Sequence, residues 1–336
     1  MGRTAGGVLG IAAVAAIAGA GWLAMRPLRN RETLTLVVNR GLRDPSSDAM
    51  VSGMRFALAE AGNRAGMFRI ELMEARHSFP AHARVCINLG SAPLIETGIE
   101  EPGTGVTLDS ADPPLPLRPV ADAREVGLAA GRWASETGSR TPVLLRNRNH
   151  PVSFIIARAF QEGAAPERPP LDEELEEGAS DYPARLKTLV EQTIAAHPDL
   201  VFYSGEEAPY GRAFEMFDAL RKGGFAGRLA MGDSDPEVSF LAIPTPVVEG
   251  TFLVSPIGPP SPGFAAAYEP ATGRRAGPHA WPGYVAMNEL LRVLDQATSG
   301  NRAHLAGLFN HAVRPPHPPA LYQFKEGRFV FVRELK

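Results

Sequence analysis

From His197 to Asp235 the chain reads "HPDLVFYSGEEAPYGRAFEMFDALRKGGFAGRLAMGDSD", and this stretch limits the fold more than any other. A short apolar run leads into an acidic loop, a helical pattern ending in glycine, a second short apolar run and a second acidic loop. Apolar runs of this length, bounded by turn residues, read as buried strands. A helix between two such strands is the connection that parallel pairing requires. The same alternation runs throughout the chain. "TLTLVVNRG", "MFRIELME", "RVCINLG", "GVTLDS" and "TPVLLRN" read as strands. "DPSSDAMVSGMRFALAEAG", "DAREVGLAAGRWASETG" and "SFIIARAFQEG" read as helices, the first with Met50, Met54, Ala57 and Leu58 at helical spacing. The fold class is therefore α/β, with parallel sheets flanked by helices, whose ligands bind outside the carboxyl ends of the strands.

At 336 residues and 44% hydrophobic content the chain has the length of about two domains and can bury a sizeable core. A formal charge of -3 with dispersed arginines gives no footprint for nucleic acid. Cys86 is the single cysteine, so no intrachain disulfide can form, and its place in an apolar run reads as a small hydrophobe in a strand. Residues 6–25, "GGVLGIAAVAAIAGAGWLAM", carry no charge and match the ~20 residues that cross a bilayer. Ala18 and Ala20 offer a signal-peptidase spacing, whereas Trp22, Leu23 and Met25 extend the run as a retained anchor would. Arg26, Arg29 and Arg31 follow the segment and argue for the opposite orientation by charge. The expectation is an extracytoplasmic domain tethered to the cytoplasmic membrane, with 1–32 as signal or anchor plus basic linker.

From Pro116 to Gln296 the order of elements resembles the leucine/isoleucine/valine-binding type of periplasmic solute-binding protein. "GASDYPARLKTLVEQTIAAHPDLVFYSG", "FEMFDALRKGGFAGRLAMGDSDPEVSFL", "VVEGTFLVSP" and "AWPGYVAMNELLRVLDQA" carry the resemblance. It implies a type I periplasmic binding fold of two α/β lobes joined by a three-strand hinge that closes on a ligand. Lobe 1 would hold 33–118 plus 256–320, lobe 2 would hold 119–250, and 251–255 with 321–336 would be crossover strands, the last of them "ALYQFKEGRFVFVRELK". Between "IELME" and "GVTLDS" the chain is shorter than the resemblance implies, so a helix and a strand of lobe 1 are expected to be missing or remodelled, and with them the ligand contacts which that side supplies.

In that family the first lobe binds an amino acid's carboxylate through hydroxyls and amides, and the second lobe takes the ammonium group with a carboxylate and aromatics. Carried over by position, Ser91 and Ser110 are the hydroxyl candidates, with plain turns as the competing reading. Tyr203, Glu206, Asp233 and Asp235 are the second-lobe candidates, with solvated turn acids or helix caps as the alternative for the carboxylates. Asn149 and His150 fall where the family often has a tyrosine closing over the ligand. A buried ammonium needs such a partner, because an unpaired charge is strongly disfavoured out of water.

His77, His82 and His150 lack metal-ligand spacing, and the acidic cluster "DEELEE" at 172–177 reads as a solvated loop. No phosphate-binding loop, nucleophile elbow, zinc-helix motif or dinucleotide fingerprint occurs. The resemblance thus implies a solute-binding protein for a small amino-acid-like ligand, serving an ABC permease, with neither catalysis nor a cofactor expected. The rival is a degenerate binding fold used as a sensory or envelope-enzyme interaction module, which the shortened first lobe favours.

Overall fold

The computed structural model describes residues 32–40, 45–75, 85–89, 105–107, 120–148, 151–164, 171–175, 180–205, 213–232, 249–277, 279–300, 302–311 and 317–336. The apolar run at 6–25 lies outside them, and no helix among the described residues is long and apolar enough to cross a membrane.

The first sheet is built from β1 (Glu32–Arg40), β2 (Arg64–Ala65), β3 (Phe68–Ala75), β4 (Val85–Leu89) and β5 (Gly105–Thr107), in the order β2-β3-β1-β4-β5. Helix α1 (Pro45–Glu60) follows β1, and β1 pairs in parallel with both β3 and β4. Met50, Met54, Ala57 and Leu58 of α1 are buried against Leu34, Leu36 and Val38, as their spacing predicts.

The second unit runs from Val120 through α2 (Ala123–Glu136), β6 (Pro142–Asn147), α3 (Pro151–Ala164), β7 (Leu171–Leu175), α4 (Tyr182–Ala195), β8 (Leu200–Tyr203), α5 (Ala213–Lys222) and β9 (Arg228–Gly232) to β10 (Phe252–Ser255). The chain then enters α6 (Pro262–Thr272), α7 (Ala280–Leu294) and α8 (Arg302–His311). Met287 and Leu290 of α7 and Leu305 and Phe309 of α8 join the core of the first sheet. It ends in β11 (Ala320–Lys325) and β12 (Arg328–Glu334), which complete a seven-stranded sheet ordered β12-β11-β10-β9-β8-β6-β7. Strand β8 shows why its sequence is apolar throughout. Leu200 and Phe202 enter the core under α2 and α3, while Val201 and Tyr203 enter the core on the opposite face. The chain passes between the cores three times: before Val120, between Ile257 and Phe264, and between Phe309 and Ala320.

Glycines let the helices cross closely in both units. A Cβ on Gly131 of α2 would stand 2.3 Å from the Phe160 carbonyl oxygen of α3, and one on Gly53 of α1 would stand 1.9 Å from the Ala280 carbonyl oxygen of α7. Helix α2 begins with a reciprocal cap. The Glu125 amide donates to Asp122 Oδ1 and the Asp122 amide to Glu125 Oε2, both at 2.8 Å.

Three expectations need correction. The acidic cluster at 172–177 is not wholly a loop, because residues 171–175 form β7, paired in parallel with β6 at the sheet edge. An edge position needs backbone pairing on one side only and leaves carboxylates near water, where Glu174 lies 3.6 Å from Arg148. The closing stretch "ALYQFKEGRFVFVRELK" is a hairpin and not one strand. Glu326 and Gly327 both take positive φ, 51° and 81°, the conformation of a two-residue hairpin turn. Strands and helices also do not alternate throughout, since β2 pairs antiparallel with β3 and β5 antiparallel with β4.

Candidate ligand-binding site

Strands β6, β8 and β9 are parallel neighbours, with Leu145, Tyr203 and Met231 side by side in register. Their carboxyl ends therefore open on one edge, and strands ~4.8 Å apart deliver their following loops together. Asn149, His150, Glu206, Asp233 and Asp235 follow these three strand ends by a few positions and lie outside the described residues. Ser91 and Ser110 also lie outside them. The chain leaves β4 toward Ser91 and β5 toward Ser110 in opposite directions, because the two strands are antiparallel.

Tyr203 is 1% exposed and belongs to the core on the sheet face opposite α2 and α3. Its ring end lies under the start of the next loop, since a Cβ on Gly205 would stand 2.4 Å from the Tyr203 Cζ and Oη. Only glycine fits there while the tyrosine keeps its place.

At this edge lies a polar cluster of which the sequence places Ser204 near the strand ends but does not mark Asn147 or Ser153. Asn147 at the end of β6, Ser153 in the first turn of α3 and Ser204 just after β8 are all buried. The Asn147 amide donates to Ser153 Oγ at 2.9 Å, the two serine hydroxyls are 2.8 Å apart, and the Ser204 amide donates to the Leu145 carbonyl oxygen at 3.0 Å. These bonds tie two strand ends to a helix start and make the carboxyl edge of β6 and β8 a rigid base. The signal available was a small polar residue at each strand end and in the turn after Pro151. Beside the cluster Arg146 lies over the Phe154 ring, 4.6 Å from its centroid.

Where the chain crosses between units, Val120, Ile257, Pro259, Trp281, Pro318 and Glu334 are among the residues lining a cavity of about 220 Å³. Val120 and His317 form an isolated parallel bridge beside it. Two of the crossings are thereby coupled through the backbone.

At the opposite edge of the sheet, Asp199 braces β6 against β8. Its carboxylate accepts from Ser139 Oγ at 2.5 Å and from the Arg140 amide at 2.6 Å, and the Arg228 amide donates to its carbonyl oxygen at 3.0 Å. Partial burial pushes its pKa up, but the bonds from Ser139, Arg140 and Thr141 and the charge of Arg228 outweigh that and hold it below the usual carboxylate value. A depressed pKa contributes stability above the unfolded value of ~3.9, and that contribution is lost as pH falls through the folded value. Asp199→Asn is thus expected to cost about 1 kcal/mol at pH 7, the range for charged hydrogen bonds reduced by solvent screening. In urea titrations at pH 7 and pH 3 the gap between wild type and variant should shrink at the acid end. A gap independent of pH would remove the carboxylate from this role.

No family model matches the chain, and no curated protein matches it. Solved structures do. An ABC transporter substrate-binding protein from Desulfitobacterium hafniense, in complex with Leu, superposes with a TM-score of 0.63 at 16% identity, covering 90% of this chain and 100% of its own. A putative branched-chain amino acid ABC transporter protein from Rhodospirillum rubrum gives a TM-score of 0.65 at 14% identity, covering 90% and 100%. The fold is that of a two-lobed type I periplasmic binding protein. A solute-binding protein of an ABC transporter from R. palustris, in complex with benzoate, shares this binding fold with a TM-score of 0.60 at 13% identity, covering 91% and 96%. At these identities the likeness concerns the fold.

Proposed function

We propose that the chain is an extracytoplasmic solute-binding protein that captures a small amino-acid-like ligand between its lobes and presents it to an ABC permease. The observation that carries this reading is the shared edge of β6, β8 and β9 with its buried Asn147, Ser153 and Ser204 base, in a fold shared with proteins solved with Leu and with benzoate. The assignment keeps 33–118 plus 256–320 as lobe 1 and 119–250 as lobe 2, with the crossing strands 251–255 and 321–336 hydrogen-bonded into the lobe 2 sheet. Residues Ser91, Ser110, Asn149, His150, Tyr203, Glu206, Asp233 and Asp235 are retained as its ligand-binding candidates, and no step of the function calls for catalysis or a cofactor.

A thermal-shift screen of amino acids, small aromatic carboxylates and related metabolites tests it. A ligand at 100 times its Kd adds ~2.7 kcal/mol to stability, which raises the melting temperature by roughly 5 °C in a chain of this size. A flat screen would favour the second reading, a binding fold reused as a sensory or envelope-enzyme module. The first sheet supports that rival, because β5 is only three residues long and runs antiparallel to β4.

The same reading places the folded lobes outside the cytoplasm, with residues 6–25 directing export and tethering the protein. Alkaline phosphatase fused after Lys336 should be active and a cytoplasmic reporter at the same place inactive. The reverse pattern would make the arginines at 26, 29 and 31 the better guide to orientation.

A further inference from the structure

Residues 26–31 are all that separates the apolar run 6–25 from Glu32, where β1 begins. A stretch of that length spans at most ~20 Å when fully extended. On the reading that residues 6–25 are held in a membrane, on which this inference rests, the end of the first sheet where β1 begins stands within that distance of the bilayer. Strands β1 and β3 are parallel, with Glu32 opposite Phe68, so the turn at Gly66 and Met67 that joins β2 to β3 lies at the same end.

That turn is fixed in place. Gly66 takes a φ of 52° and its amide donates to Asp295 Oδ1 at 2.5 Å, while a Cβ on it would stand 3.0 Å from the Leu294 and Asp295 carbonyl oxygens. Met67 beside it is 39% exposed. Arg64 and Arg69 are exposed and lie directly opposite each other across β2 and β3, with Thr33 of β1 next to Arg69. Like charges so placed repel. The carboxylates at this end do little to relieve them: Asp295 accepts from Gly66, Glu32 lies against Gly300, and Glu71 comes only to 3.9 Å from Arg69 with both side chains more than half exposed. Thr33, Asn63, Arg64 and Arg69 line one open groove, in which an anion would bridge the two guanidinium groups. An apolar tip beside two cations suits the boundary between acyl chains and headgroups. We propose that this end of the first sheet is a membrane-docking surface, where Met67 enters the headgroup boundary and Arg64 and Arg69 hold the phosphate of an anionic phospholipid. Arg26, Arg29 and Arg31 add charge of the same sign between the apolar run and this surface. Docking here turns the carboxyl ends of β1 and β3, the ligand-binding side of such sheets, away from the bilayer.

The test uses the full chain reconstituted into vesicles of phosphatidylcholine, alone or with about one third phosphatidylglycerol, a fraction at which each surface arginine gains appreciable attraction. Met67→Cys in a Cys86→Ala background carries an environment-sensitive fluorophore, whose apolar ring takes the place of the methionine side chain. Its emission should move to the blue and rise about twofold in the anionic vesicles relative to the neutral ones, and the rise should shrink between about 0.1 and 0.5 M salt. Arg64→Gln should abolish most of the rise. Because it also removes a cross-strand repulsion, it should leave the melting temperature in detergent unchanged or higher, which a merely structural arginine would not. The same fluorophore at Glu326→Cys, in the turn between β11 and β12, should not respond. Equal emission in the two kinds of vesicle, a rise that survives Arg64→Gln, a loss of stability in that variant, or an equal rise at position 326 would each overturn the docking surface and leave the tether standing. A chain that a high-salt wash strips from the vesicles would overturn both.

Discussion

Replacing Gly131 by Ala is expected to lower stability by about 2–3 kcal/mol, the upper part of the range for overpacking a close contact. The same change at Gly307 should raise stability by as much as ~1 kcal/mol. Both glycines lie inside helices, where alanine is the better helix former, so propensity alone predicts a gain at each. The surroundings reverse the sign at one of them. A Cβ on Gly131 would meet the Phe160 carbonyl oxygen at 2.3 Å and the Ala164 amide nitrogen at 2.5 Å, whereas one on Gly307 would meet nothing within 4 Å among the described residues. Backbone atoms of a neighbouring helix cannot turn aside as a side chain can, so α2 and α3 would have to separate. That separation would loosen Phe160 from Phe202, stacked at 4.6 Å, and with it the helix that carries Ser153 to the strand ends. Equilibrium urea unfolding of the two variants measures the contrast. A neutral or stabilising Gly131→Ala would show that the helices cross less closely than described.

Glu206→Gln or Asp235→Asn is expected to weaken ligand binding by about 1.5–3 kcal/mol, roughly 10- to 150-fold, if an ammonium group is held between their loops. The basis is topological. Glu206 follows Tyr203 and Asp235 follows Gly232 by three positions, and β8 and β9 lie side by side in parallel. Removing one carboxylate from a buried ammonium leaves a charge short of its partner, which costs more than losing a neutral hydrogen bond. Fold stability should change little, because the bonds that hold this edge run through Asn147, Ser153 and Ser204. Calorimetry with a ligand from the screen gives the comparison. Unchanged affinity in both variants would remove the carboxylates from the site and strengthen the non-transport reading.

The apolar strands and the main helices were legible because burial on both faces leaves a local trace. "LVFY" is buried at all four positions, and Met50, Met54, Ala57 and Leu58 mark the buried face of α1. The pair of glycines at 223 and 224 likewise marks the end of α5, where Gly224 takes a φ of 95°. Strand β7 left no such trace. Its sequence "LDEEL" is mostly acidic, and it is a strand because β6 offers an unpaired row of backbone groups. The hairpin at the carboxyl end was hidden by Glu326, a residue that seldom takes positive φ and does so here beside a glycine that follows it into the turn.

The candidate site divides in the same way. That acidic loops follow two strands of one sheet could be read directly, since it depends on residues close in the chain. The Ser153 and Ser204 hydroxyls meet across 51 residues of sequence, and Ser139 reaches Asp199 across 60. No local pattern marks either pair, because a lone serine serves equally well in a turn, a cap or a core. By itself, then, the sequence determined most of the strands and helices and that acidic residues follow two of the strands, since periodicity and burial act within a few residues. Tertiary structure alone decided which strands lie at the margins, how closely the helices cross and which polar groups pair beneath the loops. Those outcomes depend on backbone and side-chain groups that come together only when distant segments pack, and an unpaired polar group there would be too costly to leave buried.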